Sequence, residues 1–125
     1  MAKLNFLLHH SSLMVSDVEA SLYFYTQILG LQQMERPDLG FPGAWFQLGE
    51  NQQLHIIKLP NMDPTSGRPE HGGRDRHVAL SVDNFGLVRK TLDENNIVYS
   101  MSKSGRKALF VRDLDANAIE IISRD

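Results

Sequence analysis

The chain has 125 residues, 42% hydrophobic and 22% charged, which is the composition of one ordinary folded domain and excludes a disordered chain. Thirteen Lys and Arg against fifteen Asp and Glu leave a formal charge of −2, without the basic stripe that a phosphate backbone requires, so nucleic acid is not an expected partner. There is no cysteine, which excludes disulfides, thiolate nucleophiles and sulfur-held metals and leaves His and carboxylates as the strong metal ligands.

The sequence contains no apolar run long enough to cross a membrane. Met1 to Leu8 is too short, with one Lys and no small-residue cleavage site, to read as a secretory signal. The expectation is a cytoplasmic protein with no membrane partner. A domain of this size buries roughly two-thirds of its unfolded surface and folds without a structural metal, so any metal here is expected to serve function.

In chain order, Phe6 to Val15 is short, apolar and bounded by Ser16-Asp17, which predicts a strand running into a helix start. Ser16 and Glu19 fit a capping box, and Val18, Leu22, Tyr25, Ile28 and Leu29 keep helical spacing until Gly30, so a helix is predicted over Val18 to Leu29. Leu31 to Glu35, Ala44 to Leu48 and Leu54 to Leu59 follow as short strands. From Pro60 to Arg76 the composition turns to Pro, Gly, Asp and Arg without apolar periodicity, which reads as a connecting loop.

The pattern then starts again. His77 to Val82 predicts a strand, and Phe85 to Glu94 a helix with Leu87, Val88 and Leu92 facing inward. Ile97 to Ser100, Lys107 to Arg112 and Ala118 to Ile122 predict three more strands. The expected organisation is a single α+β domain over 1–125, made of two βαβββ modules at about 5–59 and 77–123 with a linker at 60–76.

The repeat can be checked by residue. His10 is followed by Leu13 and Val15, and His77 by Leu80 and Val82 at the same offsets; Trp45 precedes His55 by ten residues as Phe110 precedes Glu120. His10 therefore pairs with His77, and His55 with Glu120. Strand alternation puts Leu13, Val15, Val78, Leu80 and Val82 under the helices and turns His10, His55, His77 and Glu120 to the opposite face.

Three imidazoles and a carboxylate from the first and last strands of the two modules would meet if the sheets share a concave face. That set suits a divalent ion of the Zn, Ni, Fe, Mn or Co type, with positions left open for water and substrate.

Four stretches carry a family likeness: His10-Ser-Ser-Leu-Met-Val-Ser-Asp17, Ser21-Leu-Tyr-Phe-Tyr-Thr-Gln-Ile-Leu-Gly30, His77-Val-Ala-Leu-Ser-Val-Asp83 and Asp113-Leu-Asp-Ala-Asn-Ala-Ile-Glu120. Over nearly its whole length the chain resembles the vicinal oxygen chelate superfamily, the glyoxalase, bleomycin-resistance and extradiol-dioxygenase group. The resemblance implies two βαβββ modules forming a cupped, barrel-like mixed sheet with helices outside, around one divalent metal held at the places of His10, His55, His77 and Glu120. The final segment departs from the family's Asp-Pro-Asp-Gly turn, with Leu114 for Pro and Ala116-Asn117 for Gly and its neighbour. At the place of His55, glyoxalases of this type carry Glu and epimerases Gln, so Glu120 is left as the one carboxylate among the four and the expected catalytic base.

The resemblance implies chelation of two adjacent oxygens of a small-molecule substrate, and a lyase or isomerase as the leading activity. A thiol transferase or extradiol-type dioxygenase on the same scaffold, or a non-catalytic drug-binding protein of the bleomycin-resistance kind, are the alternatives. Relatives of this length pair as homodimers, which leaves open whether His10 and His55 share a site with the same chain's His77 and Glu120 or with a partner's.

The remaining polar groups carry weaker signals. Arg68 to Arg76, with His71 outside the ligand set, reads as a solvated linker, and Lys103, Arg106 and Lys107 as solvated surface. Phe41, Trp45 and Phe46 read as core or as pocket wall.

Overall fold

The computed structural model describes residues 3–125. Met1 and Ala2, where the stretch read for a leader begins, lie outside them. The first module runs β1 (His10–Met14), α1 (Val18–Leu22), β2 (Gln32–Met34), β3 (Gly43–Leu48) and β4 (Gln52–Ile57). The second runs β5 (His77–Val82), α2 (Phe85–Glu94), β6 (Tyr99–Met101), β7 (Ala108–Arg112) and β8 (Ala118–Ser123). Each module is one four-stranded mixed sheet, ordered β1-β4-β3-β2 and β5-β8-β7-β6, with the first and last strands parallel and the other pairs antiparallel.

The first helix begins on Asp17 rather than Ser16. The Asp17 Oδ1 accepts the Ala20 N–H at 3.1 Å, and a carboxylate there favours the positive end of the helix. Ser16 instead donates its N–H to Asp115 of the second module. Past Leu22 the helix widens into π turns over Tyr23–Ile28, where Leu29 N–H reaches back to Phe24 O, and this sets Phe24, Tyr25 and Ile28 into the core together. Asn84 caps α2 through its side-chain oxygen and the Leu87 N–H. On α2 the inward residues are Phe85, Val88 and Leu92; Leu87 is 55% exposed, because one helical face cannot hold three consecutive turns' worth of adjacent positions.

The helix-side faces of both sheets and both helices share one core, including Val15, Tyr25, Phe46, Leu54 and Ile56 from the first module and Phe85, Leu92, Leu109 and Ile119 from the second. Phe46 is therefore core. The two outer strands β1 and β5 flank a cavity of about 310 Å³, and Asn117, before β8, donates its side-chain N–H to Met14 O at the end of β1. The edge strands of the two sheets thus lie beside each other across this cavity.

The 60–76 loop is more fixed than a solvated linker. Asp75 is nearly buried and is gripped by Arg68 at 2.7 Å and Arg112 at 2.9 Å, which hold its carboxyl well below the usual range. Among the described residues, no helix is long and apolar enough to cross a membrane.

Candidate metal centre

Register places the four candidate ligands as the repeat predicts. On the first sheet, Ser12, His55, Trp45 and Met34 form one transverse row; on the second, Ala79, Glu120, Phe110 and Ser100 form the equivalent row. His10 and His77 start β1 and β5 one row away. All lie on the face opposite the core residues Leu54, Ile56, Ile119 and Ile121.

The structure gathers these residues as two pairs. His77 Nε2 stands 3.3 Å from Glu120 Oε1, and Glu120 is only 2% exposed. Two donors on one ion at about 2.1 Å each and at roughly tetrahedral or octahedral angles lie about 3.0–3.4 Å apart, so this spacing fits a shared cation. The other His77 nitrogen, Nδ1, lies 2.8 Å from Asp75 O and donates to that carbonyl, which turns Nε2 toward Glu120. Asp75 is held by the two arginines, so the grip on the loop also orients the ring. Phe110 meets His77 edge-on at 5.1 Å.

The second pair is a stack. The His10 ring lies 4.2 Å from His55 at 19°, and Trp45 covers the other side of His55 at 4.3 Å and 8°. His55 Nε2 faces Gln53 Oε1 at 2.8 Å and His10 Nδ1 faces His9 at 2.8 Å, so one nitrogen of each ring has no hydrogen-bond partner among the described residues. Burial, the neighbouring His10 and His9 rings and Arg36 push the His55 pKa down to about 4, so the ring is neutral at pH 7 and its lone pair is available. Neutral imidazole is the form that ligates a metal.

Among the described residues no three such side chains converge, so the four candidates stand as two separate pairs rather than one closed set. The donors fit a divalent ion in chemistry and, for His77 and Glu120, in spacing.

Around Glu120 the second module adds positive charge that sequence reading assigned to solvated surface. Arg106 reaches Glu120 Oε2 at 3.5 Å, and a cavity of about 330 Å³ is lined there by His71, His77, Lys103, Arg106, Phe110 and Glu120. His71 binds Met101 O and accepts the Gly73 N–H, a structural role at the rim.

A residue that sequence reading missed is Arg36. It sits two positions beyond Met34, its guanidinium rests 5.0 Å from the Phe41 ring, and its Nε and Nη2 are buried with no hydrogen-bond partner among the described residues. A lone Arg after a short strand gives no periodic signal. Only Gly43, which leaves room beneath it, hinted at a close approach.

Comparison with known proteins agrees with this geometry. The model of the Glyoxalase/Bleomycin resistance protein/Dioxygenase superfamily matches residues 7–121. Glyoxylase I 4 of Arabidopsis thaliana is 30% identical, over 94% of this chain and 71% of that protein. The lactoylglutathione lyase of Escherichia coli O157:H7 is also 30% identical, over 90% of this chain and 89% of its own. The crystal structure of a glyoxalase/dioxygenase from Nostoc punctiforme superposes with a TM-score of 0.72 at 26% identity, covering 97% and 98% of the two chains. Two repeated modules with equivalent polar pairs on their helix-free faces, and a family model spanning both, place the chain in the Glyoxalase/Bleomycin resistance protein/Dioxygenase superfamily.

Proposed function

We propose that the protein is a cytoplasmic, divalent-metal-dependent lyase or isomerase of the glyoxalase type whose centre forms between two copies of the chain. His10 and His55 come from one copy and His77 and Glu120 from the other. The observation that carries this reading is the His77–Glu120 pair, 3.3 Å apart and oriented from behind by the Asp75 carbonyl. Its counterpart sits at the equivalent register of the other sheet without reaching it, so a second copy is needed to complete the set.

A divalent ion held by His10, His55, His77 and Glu120 would supply Lewis acidity toward two adjacent oxygens of the substrate. The chain's own groups do the rest. Glu120, the one carboxylate of the set, takes a proton from the carbon beside the polarised carbonyl and delivers it to the neighbouring position. Arg106, beside Glu120 Oε2, steadies its charge while it waits. Trp45 and Phe110 wall the two halves and limit water around the transferring proton.

Mixed variants test both the metal and its sharing. His55→Ala and Glu120→Gln chains each form dimers with no complete centre. Refolded together at equal amounts they form mixed dimers in which one of two centres is intact, which restores about a quarter of the wild-type metal content and of turnover with a hemithioacetal. Failure of either to return overturns the shared centre, and a wild type that binds no divalent ion overturns the metal reading in favour of a binding protein.

A further inference from the structure

The row that His77 begins carries a clamp that its counterpart in the first module does not. Register sets Arg112 of β7, Ala118 of β8 and His77 of β5 side by side, and alternation turns all three to the helix-free face, one row from Glu120. Arg112 and His77 therefore stand two strands, about 10 Å, apart. Ala118 between them is small, and the connection that leads into β5 passes over it: a Cβ on Gly72 would meet Phe110 Cβ at 3.1 Å and Ala118 Cβ at 3.4 Å.

Arg112 grips that connection with both ends of its fork. Its Nη1 donates to Asp75 Oδ2 at 2.9 Å and to Ala116 O at 2.7 Å, and its Nη2 donates to Pro69 O at 2.6 Å. Arg68 closes the other side of Asp75, with Nε 3.0 Å from Oδ2 and Nη2 2.7 Å from Oδ1. The carbonyl of the same Asp75 accepts from His77 Nδ1 at 2.8 Å. One guanidinium thus joins the residue that holds the His77 ring to Ala116, a positive-φ residue in the turn that leads into β8 and Glu120.

The first module shows that the sheet itself does not require this arginine. There the matching row is Gln47, Gln53 and His10. Gln47 turns to its own hairpin, donating to Gly49 O at 2.8 Å and to Glu50 O at 3.1 Å. Gln53 takes the place of Ala118 and meets His55 Nε2 itself at 2.8 Å. The same strand order forms in both modules, so the clamp adds something that strand pairing does not need.

We infer that Arg112 is a positioning residue for the His77–Glu120 pair. Acting through Asp75 on one donor and through Ala116 on the other, it fixes their 3.3 Å spacing and with it the grip on a divalent ion. This rests on the metal reading above, and Arg112 itself touches neither ion nor substrate.

The test uses the full chain and two readouts. Nitrogen NMR of the metal-free protein is expected to show the His77 ring held in its Nδ1–H form in the wild type and exchanging between both tautomers in Arg112→Met. Divalent-ion affinity, measured by competition with a chelating dye, is expected to fall roughly ten- to a hundredfold in Arg112→Met. Arg112→Lys recovers part of it, and Gln47→Met at the matching place leaves it unchanged. In a His77→Ala background Arg112→Met weakens binding much less, because one of the two donors it positions is already gone. Arg112→Lys, which keeps a charge on Asp75 and gives up the fork, carries the same comparisons should Arg112→Met not fold.

An unchanged His77 tautomer and an unchanged affinity overturn the inference. So does an equal loss with and without His77, since Arg112 would then support the fold alone. A wild type that binds no ion ends the metal reading, and the His77 ring signal then decides the positioning role by itself: released in Arg112→Met it upholds the role, and unmoved it removes it.

Discussion

His77 Nε2 faces Glu120 Oε1 at 3.3 Å while its Nδ1 donates to the Asp75 carbonyl at 2.8 Å, so the ring is held with Nε2 turned to a buried carboxylate. Losing either partner removes a donor from a preset pair. Glu120→Gln and His77→Ala are each expected to weaken divalent-ion binding at least about tenfold, measured by competition with a chelating dye. Glu120→Gln additionally loses turnover at saturating metal, where His77→Ala recovers part of it, because only Glu120 is asked to move a proton.

Trp45 is the chain's one tryptophan and lies nearly parallel to His55, 4.3 Å away. Its emission is therefore a direct report on that ring. Adding a divalent ion to the metal-free protein is expected to change Trp45 fluorescence saturably, with reversal by chelator, and the response is lost in His55→Ala. An unchanged spectrum at full metal occupancy, measured by elemental analysis, would place the ion away from His55.

In the metal-free protein, His55 titrates near pH 4 when folded and near its ordinary value of 6.5 when unfolded. As pH falls through 6.5 the unfolded chain takes up the proton first, so the stability contributed by the neutral ring is fully present above 6.5 and is lost progressively down to about 4. Melting temperature over this window is expected to fall more steeply in the wild type than in His55→Gln. Parallel curves for the two would show that burial and its neighbours do not hold the ring neutral.

Much of this centre is legible from alternation alone. A strand has a period of two, so one correctly placed apolar residue such as Leu80 fixes where His77 points, and the repeat transfers that register to His10. The second helix was readable in its extent because its cap and stop are local. The spacing of the first predicts one regular helix, and its π turns leave no local mark, since they go with the burial of Phe24, Tyr25 and Ile28 together in the core. The division of the four candidate residues into two pairs depends on how whole sheets stand beside each other, and the seat of Arg36 depends on its approach to Gly43. Neither leaves a pattern in neighbouring residues.

Two glycines separate space from conformation. Gly43→Ala puts a methyl 2.5 Å from Ile56 O and against Arg36, so strand β3 must shift; it is expected to cost about 1–3 kcal/mol in urea unfolding. Gly86 on α2 has nothing within 4 Å of an added Cβ and needs no positive φ, so Gly86→Ala is expected to stabilise by about 0.4–1 kcal/mol through lower unfolded-state entropy. Equal effects at the two positions would mean that the close approach beneath Arg36 is not maintained in solution.

The two modules are also tied by a buried carboxylate. Asp113 Oδ2 accepts from the Tyr25 hydroxyl at 2.6 Å and from Asn117 Nδ2 at 2.9 Å, and Oδ1 accepts the Asp115 and Asn117 N–H groups at 2.9 Å each. Burial pushes both the Tyr25 and the Asp113 groups up, so the pair is maintained by these bonds against desolvation. Asn117 at the same time holds Met14 O, which fixes the end of the strand that begins with His10. Tyr25→Phe removes one donor and keeps the ring packed; it is expected to cost roughly 1–3 kcal/mol with an unchanged denaturant slope. Asp113→Asn is expected to cost more, because an amide must turn its own N–H toward groups that already donate, and a smaller loss than in Tyr25→Phe would show that the turn, not the charge, joins the modules.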